Sequence, residues 1–390
     1  MTGAARLAEL RTFVVSLPLR RPHRWVGLDS AVGAGYVVTR LTLEDGTVGW
    51  GEAQPIKTWG GDDASRYGET PKTVVAVIRD HLVPALKDVD LRQFENVHAA
   101  MNRTLRGHPY AKAAVEVAIM DAVARSLRVP VYQLLGGRVR DKVELAHSIG
   151  LMDVEAAVAE AGKVVDEGIT TLKIKIGVDV ERDVGIVREV RRAIGDKPRI
   201  RVDANQGYRS WREAVAAIRR MAEYGIAYAE QPVDGVKAMA EVAARCDVPI
   251  MADESAWTER DVVAIAAANA AQYLSVYYTK PGGLWKAKRL LTVAGAHGMQ
   301  CDVNGSGEMG VGNAANLQLA AAAPEVTLAG TIPVTSTSAV ERTKVAGRKY
   351  LDDILAVPFE YREGHLVVPD GPGLGIEVDE DKLRCYAVEP

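Results

Sequence analysis

The sequence predicts an α/β chain built on a parallel (β/α) barrel, with an α+β cap made from its two ends. Three observations carry that prediction: a strand–turn–helix unit recurring about every 25 residues between 145 and 332, a hairpin-like pattern before it, and a strand-like tail after it. In each unit a short apolar or β-branched run precedes a Gly, Pro, Ser or Asp turn signal, then an amphipathic stretch rich in Ala, Val and Arg. The runs are, in order, LAHSIGL (145–151), TTLKIKIG (170–177), RIRVDAN (199–205), AYAEQP (227–232), PIMADES (249–255), LSVYYTK (274–280), QCDVNGS (300–306) and TLAGTI (327–332). Helical patterns separate them, and Ser210 to Glu213 and Thr258 to Asp261 both match the Ser/Thr-x-x-acid start of a helix. Strand and helix alternating at this period imply parallel strands joined by crossover helices, and eight units close a barrel. An open doubly wound sheet is the alternative, but no Gly-x-Gly-x-x-Gly follows the first run.

The flanks follow other rules. VGAGYVVTRLTLEDGTVGWGEA (32–53) reads as two antiparallel strands around Glu44-Asp45-Gly46, and helical patterns run from about 71 to 135. After 355, FEYREGHLVV and GPGLGIEVD are strand-like and are expected to return to the first domain. The expected organisation is a cap over 1–140 carrying specificity loops, a catalytic barrel over 141–355, and a closing segment over 356–390.

Composition narrows the function classes. The 390 residues, 48% hydrophobic and 25% charged, are globular in character and too many for one small core. A net charge of −3 offers no basis for a nucleic-acid or anionic-membrane partner. The longest apolar stretches, such as 262–271, fall short of the roughly 20 residues that span a bilayer. MTGAARLAELRTFVV has neither a signal-peptide pattern nor a cleavage site. Cys246, Cys301 and Cys385, odd in number and widely spaced, suggest reduced thiols in a cytoplasm rather than a disulfide framework or a zinc site.

Chemistry repeats with the barrel. Asp203 ends the third strand, Glu230 the fourth and Asp253 the fifth, at spacings of one unit each. Strand C-terminal ends line the barrel mouth, so three adjacent strands aim three carboxylates at one point. Converging carboxylates repel one another, and a hard cation held by their oxygens resolves the conflict. Taken singly, each acid reads equally as a helix cap or an arginine partner. Taken as a repeat, they read as a metal site. Lys173 and Lys175, two apart on the second strand, point the same way. Each ammonium is expected to lower the other's pKa toward useful base strength; the alternative is a solvated pair on an edge strand, and a closed barrel has no edge. A lysine base opposite a bound cation suits removal of a proton beside a carboxylate, with the metal stabilising the enediolate.

KIK at 173–175, VDAN at 202–205, EQP at 230–232, IMADES at 250–255 and the Gly282-Gly283 pair resemble the enolase superfamily, most closely its muconate-lactonizing (muconate cycloisomerase) subgroup. LLGGRVRD at 134–141, VGWGEA at 48–53 and GPGLG at 371–375 extend the resemblance over nearly the whole chain. It implies a modified (β/α)7β TIM-like barrel under a capping domain, with Mg²⁺, or Mn²⁺ in its place, on Asp203, Glu230 and Asp253. It also implies Lys175 as the base and Lys173 as the residue that tunes it. Asn205, Glu254 and Lys280 are placed behind these groups, Lys280 matching a common Arg or Lys that is not the base.

Departures from the pattern bear on the reaction. A second lysine base belongs five residues before the Gly-Gly pair, and that position is Tyr277. The seventh-strand position that holds His in relatives resembling mandelate racemase is Asn304, and the usual eighth-strand Glu is Thr331. Two-base racemisation is thereby disfavoured, whereas syn-cycloisomerisation of an unsaturated diacid or syn-dehydration of a hydroxy acid needs Lys175 alone. Tyr277 stands either as a proton donor, from an ordinary phenol pKa near 10, or as a packing aromatic. Two cap loops, 19–29 and 53–63, are expected to set specificity: Trp25 and Trp59 to close over substrate with Gly60 and Gly61 as hinges, and Arg21, His23, Arg24 and Lys57 to meet a second carboxylate. For each charged loop residue the alternative is a solvated side chain. His147 reads either as a pocket residue or as an ordinary packing one. The expected partners are a small-molecule carboxylate substrate, contacting Asn304 and Thr331 as well, and further copies of the chain as a homo-oligomer. The competing functions are a racemase of amino-acid derivatives or hydroxy acids, and a non-catalytic barrel.

Overall fold

The computed structural model describes residues 4–389 apart from 30–34, 63–64, 67, 306 and 335–338, so positions 32–34, Asp63 and Ser306 of the predicted segments lie outside the described residues. The cap's sheet has Leu7–Val15 at its centre, paired antiparallel with Tyr36–Leu43, which pairs with Val48–Ala53. The predicted turn between the last two is present: the Gly46 N–H donates to the Leu43 carbonyl at 2.9 Å, Gly46 takes a φ of 84°, and the Asp45 carboxylate accepts from the Thr47 N–H. Against this sheet lies the helix Pro109–Leu127. Gly49 and Gly51 sit directly on Ala114, Ala118 and Ala122, and a Cβ at either glycine runs into that helix's backbone. Small residues at a spacing of four on the helix meet glycines at a spacing of two on the strand, which places both on one face of each element.

The barrel holds seven of the eight predicted strands in one parallel sheet: Ala146–Ile149, Thr171–Lys175, Arg199–Asp203, Ile226–Glu230, Ile250–Ala252, Tyr273–Val276 and Gln300–Val303. The eighth run forms no ladder. The gap is bridged through single pairings, Val326, just before the run, with Cys301 on the seventh strand, and Gly330, within it, with Leu145 at the entry to the first. The Gly330 N–H donates to the Glu144 carbonyl and its own carbonyl accepts from Ala146, so the wall is joined without a regular strand. Helices separate consecutive strands, and both predicted starts are seen: Ser210 caps through the Glu213 N–H, and Thr258 with Asp261 makes a reciprocal capping box.

The tail divides rather than returning whole to the cap. Tyr361–Arg362 and His365–Val367 form a tight hairpin on Lys142–Glu144, the segment leading into the first barrel strand, while Ala387–Val388 reaches the outer edge of the cap sheet beside Leu7–Val15. Glu363 and Gly364 take φ values of 45° and 77°, the left-handed pair that closes a two-residue hairpin.

Cap and barrel are joined at helix N-termini. Glu116, on the cap helix, accepts from the Leu284 and Trp285 N–H groups, and Glu52, at the end of the cap sheet, accepts from Met309 and Gly312. Each carboxylate satisfies donors that a helix start leaves unpaired. Burial nevertheless dominates at Glu52 and pushes its carboxyl up to about 8. No described helix is long and apolar enough to cross a membrane.

Candidate active site

The strand alternation that sends Lys173 and Lys175 to one side also sends them into the barrel, against the acids of the next two strands. Lys173 Nζ lies 2.9 Å from Asp203 Oδ2 and 2.8 Å from Glu230 Oε1. Lys175 Nζ donates to the same Asp203 oxygen and to Asn205 Oδ1, each at 2.6 Å. Lys280 Nζ donates to the carboxylate and the backbone carbonyl of Asp253 at 2.7 and 2.8 Å, and to the Ser275 carbonyl. Glu254 accepts from the Asn205 amide at 2.8 Å. Lys173 joins Asp203 to Glu230, Lys175 and Asn205 extend that buried network to Glu254, and Asp253 is held beside it by Lys280.

The electrostatics differ from the sequence expectation at Lys173. Burial pulls its pKa down, but the Asp203 and Glu230 carboxylates outweigh burial and raise it. A neighbouring lysine counts for less than two carboxylates at hydrogen-bond distance. Burial, then the charge of Asp203, raises Glu230; burial, then Asp253 and Asp203, raises Glu254. Glu230 Oε2 and Glu254 Oε2 are buried without hydrogen-bond partners. Among the described residues no three acidic, His or Cys side chains are drawn together as a closed metal cage, because the lysines take the carboxylate oxygens. The donor set fits a hard divalent cation even so: four carboxylates face three ammonium groups, and two oxygens lack a hydrogen bond among the described residues, Glu230 Oε2 lying 3.8 Å from Arg201 Nη1.

The strands exit under constraint. Asn205, Gln206 and Gln231 take positive φ values of 44°, 62° and 35° just after the acids. Side chains hold the turns: the Asp203 carboxylate accepts from the Asn205 backbone N–H, and the Gln231 side-chain amide oxygen accepts from the Asp253 and Ser255 N–H groups. Left-handed non-glycine backbone at three residues clustered on two strand ends is the pattern expected where geometry serves a site rather than stability.

A cavity opens above the network, lined by Lys173, Lys175, Asn205, Asp253, Tyr277, Asn304 and Thr331 from the barrel and by His23, Trp25, Ile56 and Trp59 from the cap loops. Lys175, 7% exposed, lines it along with Lys173, and its Nζ sits 5.4 Å from the centre of the Trp25 ring. Trp59 packs at 5.2 Å on both Tyr277 and Trp257. Tyr277 donates to Asp253 at 3.3 Å, and burial together with the surrounding carboxylates pushes its phenol well above 10, so the ordinary phenol value expected from sequence does not hold. Asn304 donates to Ser275 at 3.1 Å, and Thr331 accepts from the buried Arg201 at 2.7 Å. Lys57 and Arg24 are exposed and do not line the cavity; the next residue back, Ile56, turns inward instead. Arg21 does line it, tied to Glu160 at 2.9 Å.

Sequence reasoning missed several residues here. Asp62 latches the second cap loop to the barrel, accepting from Ser255 at 2.8 Å, Gln206 at 3.1 Å and the Gly235 N–H at 3.2 Å. Glu160 receives His147 at 2.8 Å in addition to Arg21, and Arg20 lies 3.5 Å away. Arg20, Arg348 and Lys349 complete the cavity wall. None of these falls at a strand end, so the repeat that exposes the acids is silent about them.

Residues 8–136 match the mandelate racemase / muconate lactonizing enzyme N-terminal domain, and residues 156–382 match the enolase C-terminal domain-like family. An N-succinyl-L-Arg/Lys racemase of Bacillus cereus is 30% identical over 98% of both chains. Muconate cycloisomerase 1 of Rhodococcus opacus is also 30% identical, over 97% of this chain and 98% of its own. The crystal structure of 2-chloromuconate cycloisomerase from Rhodococcus opacus 1CP superposes with a TM-score of 0.89 at 28% identity, covering 98% of this chain and all of the other. Racemases and cycloisomerases thus stand at the same distance. The chain is an enzyme of the enolase superfamily, in its mandelate racemase / muconate lactonizing branch.

Proposed function

We propose that the chain removes the proton α to the carboxylate of a small-molecule acid, with Lys175 as the base. The observation that carries this reading is the position of Lys175: its Nζ is at the cavity surface, held by Asp203 and Asn205 and backed by Trp25. Asp203, Glu230 and Asp253 hold Mg²⁺, or Mn²⁺, in this reading, supported by the salt bridges of Lys173 to Asp203 and Glu230 and by a Glu230 oxygen that lacks a hydrogen bond. When bound, the cation supplies positive charge to the acid cluster and to the substrate carboxylate, which makes the adjacent carbon acidic. Lys173 bridges Asp203 and Glu230 and fixes their orientation. Trp25 and Trp59 exclude water from Lys175 and Tyr277.

The reaction we favour is a one-base cycloisomerisation or syn-dehydration. Tyr277 directly follows the sixth strand, across the barrel from the second, and its raised pKa keeps the hydroxyl protonated, which suits a hydrogen-bond donor and not a base. The second reading, racemisation of an N-acylated amino acid, draws support from a racemase relative as similar as the cycloisomerases. Incubation with Mg²⁺ in D₂O, using muconate, hydroxy acids and N-succinyl amino acids, separates the two by NMR. Elimination or lactone formation upholds the first reading; α-deuteration with inversion transfers the assignment to the second. We place the protein in the cytoplasm, in keeping with its three free cysteines.

A further inference from the structure

We propose that Asp62, on the second cap loop, is a positioning residue for the cation site: its hydrogen bonds to the exits of the acid-bearing strands couple the placement of the loop that carries Trp59 to occupancy of that site. This rests on the reading of Asp203, Glu230 and Asp253 as cation ligands and extends it from the barrel into the cap.

One oxygen of Asp62 gathers three donors, each from a different strand exit. Ser255 Oγ, two residues after Asp253, donates at 2.8 Å; Gln206 Nε2, three after Asp203, at 3.1 Å; the Gly235 N–H, five after Glu230, at 3.2 Å. Beneath them lies Gln231, buried and fully committed. Its side-chain N–H groups donate to Ser255 Oγ at 2.8 Å and to the Val233 carbonyl at 2.9 Å. Its side-chain oxygen accepts from the Asp253 and Ser255 N–H groups, and its backbone carbonyl from the Gln206 N–H. A route of hydrogen bonds therefore runs from Asp62 through Ser255 and Gln231 to the backbone of Asp253. A shifted Ser255 hydroxyl would strand a buried Gln231 donor, so the route resists slack.

A second route leaves the same loop three residues earlier. Trp59 packs at 5.2 Å on Tyr277, whose hydroxyl donates to Asp253 Oδ2 at 3.3 Å. It packs as closely on Trp257, whose indole N–H donates to the Glu254 carbonyl at 2.8 Å. Between the two anchors Gly61 takes a φ of 71°, and a Cβ there would press on the Trp257 ring nitrogen at 3.2 Å, so the loop runs flush on that ring. The routes meet at Asp253, one at its backbone and one at its carboxylate. Holding a ligand at both points sets the direction of its oxygens, and whatever fixes Asp253 in turn fixes the loop.

The loop has another tether that lacks this connection. Arg66 pairs with Asp261 at 2.9 Å, partly exposed, on a carboxylate that caps the start of its own helix. It holds the loop without entering the Gln231 hub, which separates tethering from positioning.

The test is calorimetric titration of Mg²⁺ into the substrate-free protein. We expect Asp62→Ala to weaken binding about tenfold or more, the usual worth of a group that orients a metal ligand. Asp62→Asn, whose amide oxygen accepts from the same donors, stays within about twofold of the parent, as does Arg66→Ala, which loses only an exposed ion pair. The reverse coupling is read from acrylamide quenching of Trp59, taken as the difference from Trp59→Phe. Mg²⁺ shields the ring in the parent and in Asp62→Asn, and not in Asp62→Ala. Ser255→Ala, which cuts the route from the barrel side, replaces Asp62→Ala if near-UV circular dichroism shows the latter unfolded. An affinity unchanged by Asp62→Ala, a loss of equal size in Arg66→Ala, or a loss that Asp62→Asn shares overturns the proposal. If the parent binds no Mg²⁺, the cation reading falls and takes the proposal with it; if parent and Asp62→Ala bind it equally, the coupling alone falls.

Discussion

At the scale of single residues, the site is a competition for carboxylate oxygens. Asp203 serves Lys173 and Lys175 through one oxygen and the Asn205 N–H through the other, while Glu230 keeps one buried oxygen without a hydrogen bond, 3.8 Å from Arg201. A cation that enters this network binds the folded chain and not the unfolded one, so Mg²⁺ is expected to raise the melting temperature in proportion to the logarithm of its concentration. Glu230→Gln removes a charged ligand and is expected to abolish that rise while leaving the cation-free melting temperature within a few degrees. Differential scanning calorimetry with and without Mg²⁺ measures it, and an undiminished rise in the variant excludes Glu230 as a ligand. The acids and both lysines were legible because each occupies the same place in a repeating unit. The raised pKa of Lys173 was not, since it depends on which charge lies within hydrogen-bond reach, and spacing along a strand does not say that. Lys349, Glu160 and Asp62 were illegible for a simpler reason: they lie in irregular segments, where no period marks them out.

At the scale of elements, the cap depends on a close approach of strand Val48–Ala53 to helix Pro109–Leu127. Gly51→Ala puts a methyl group into the Ala114 carbonyl and is expected to destabilise by about 1–3 kcal/mol, with the cap loosening against the barrel. Urea unfolding followed by tryptophan fluorescence tests this, and a change below 0.5 kcal/mol, roughly the scale of a neutral surface substitution, contradicts it. The hairpin around Gly46 and the barrel's strands and helix caps were readable from local signals: turn residues, alternation, and Ser or Thr three places before an acid. The eighth strand was not. TLAGTI carries the apolar pattern of a strand, but it meets the seventh strand through the Thr327 and Leu328 N–H groups on the Cys301 carbonyl and the entry to the first through the Gly330–Leu145 bridge, because closing the barrel joins segments far apart in the chain. The tail misled in the same way: its hairpin pairs with Lys142–Glu144 and only its last strand reaches the cap sheet.

At the scale of the whole molecule, catalysis as proposed requires cap and barrel to meet over Lys175, and one joint between them is sensitive to acid. His147 accepts from the Gly347 N–H at Nδ1, at 3.0 Å, so its proton sits on Nε2 and faces Glu160. Burial, only partly offset by Glu160, lowers its pKa below 6.5. Charging His147 sets a second N–H against the Gly347 donor. Because the folded pKa is depressed, the unfolded chain binds the proton first, and stability is lost as pH falls below about 6.5. Glu160 is lowered from the usual carboxylate range as well: burial works against this, and His147 and Arg21 overcome it, so its contribution is lost in turn as pH falls below about 4.5. The melting temperature is expected to drop on passing from pH 7 to 5, with a smaller drop in His147→Gln; an identical profile in the variant contradicts the assignment. The central claim lies elsewhere, in one proton. The most direct measurement is α-proton exchange into D₂O by NMR, with Mg²⁺, for the parent protein and Lys175→Ala on the same panel of acids. The account predicts exchange by the parent on at least one acid and a loss on the order of 10²-fold or more in the variant. Exchange that persists in Lys175→Ala at the parent rate would contradict it.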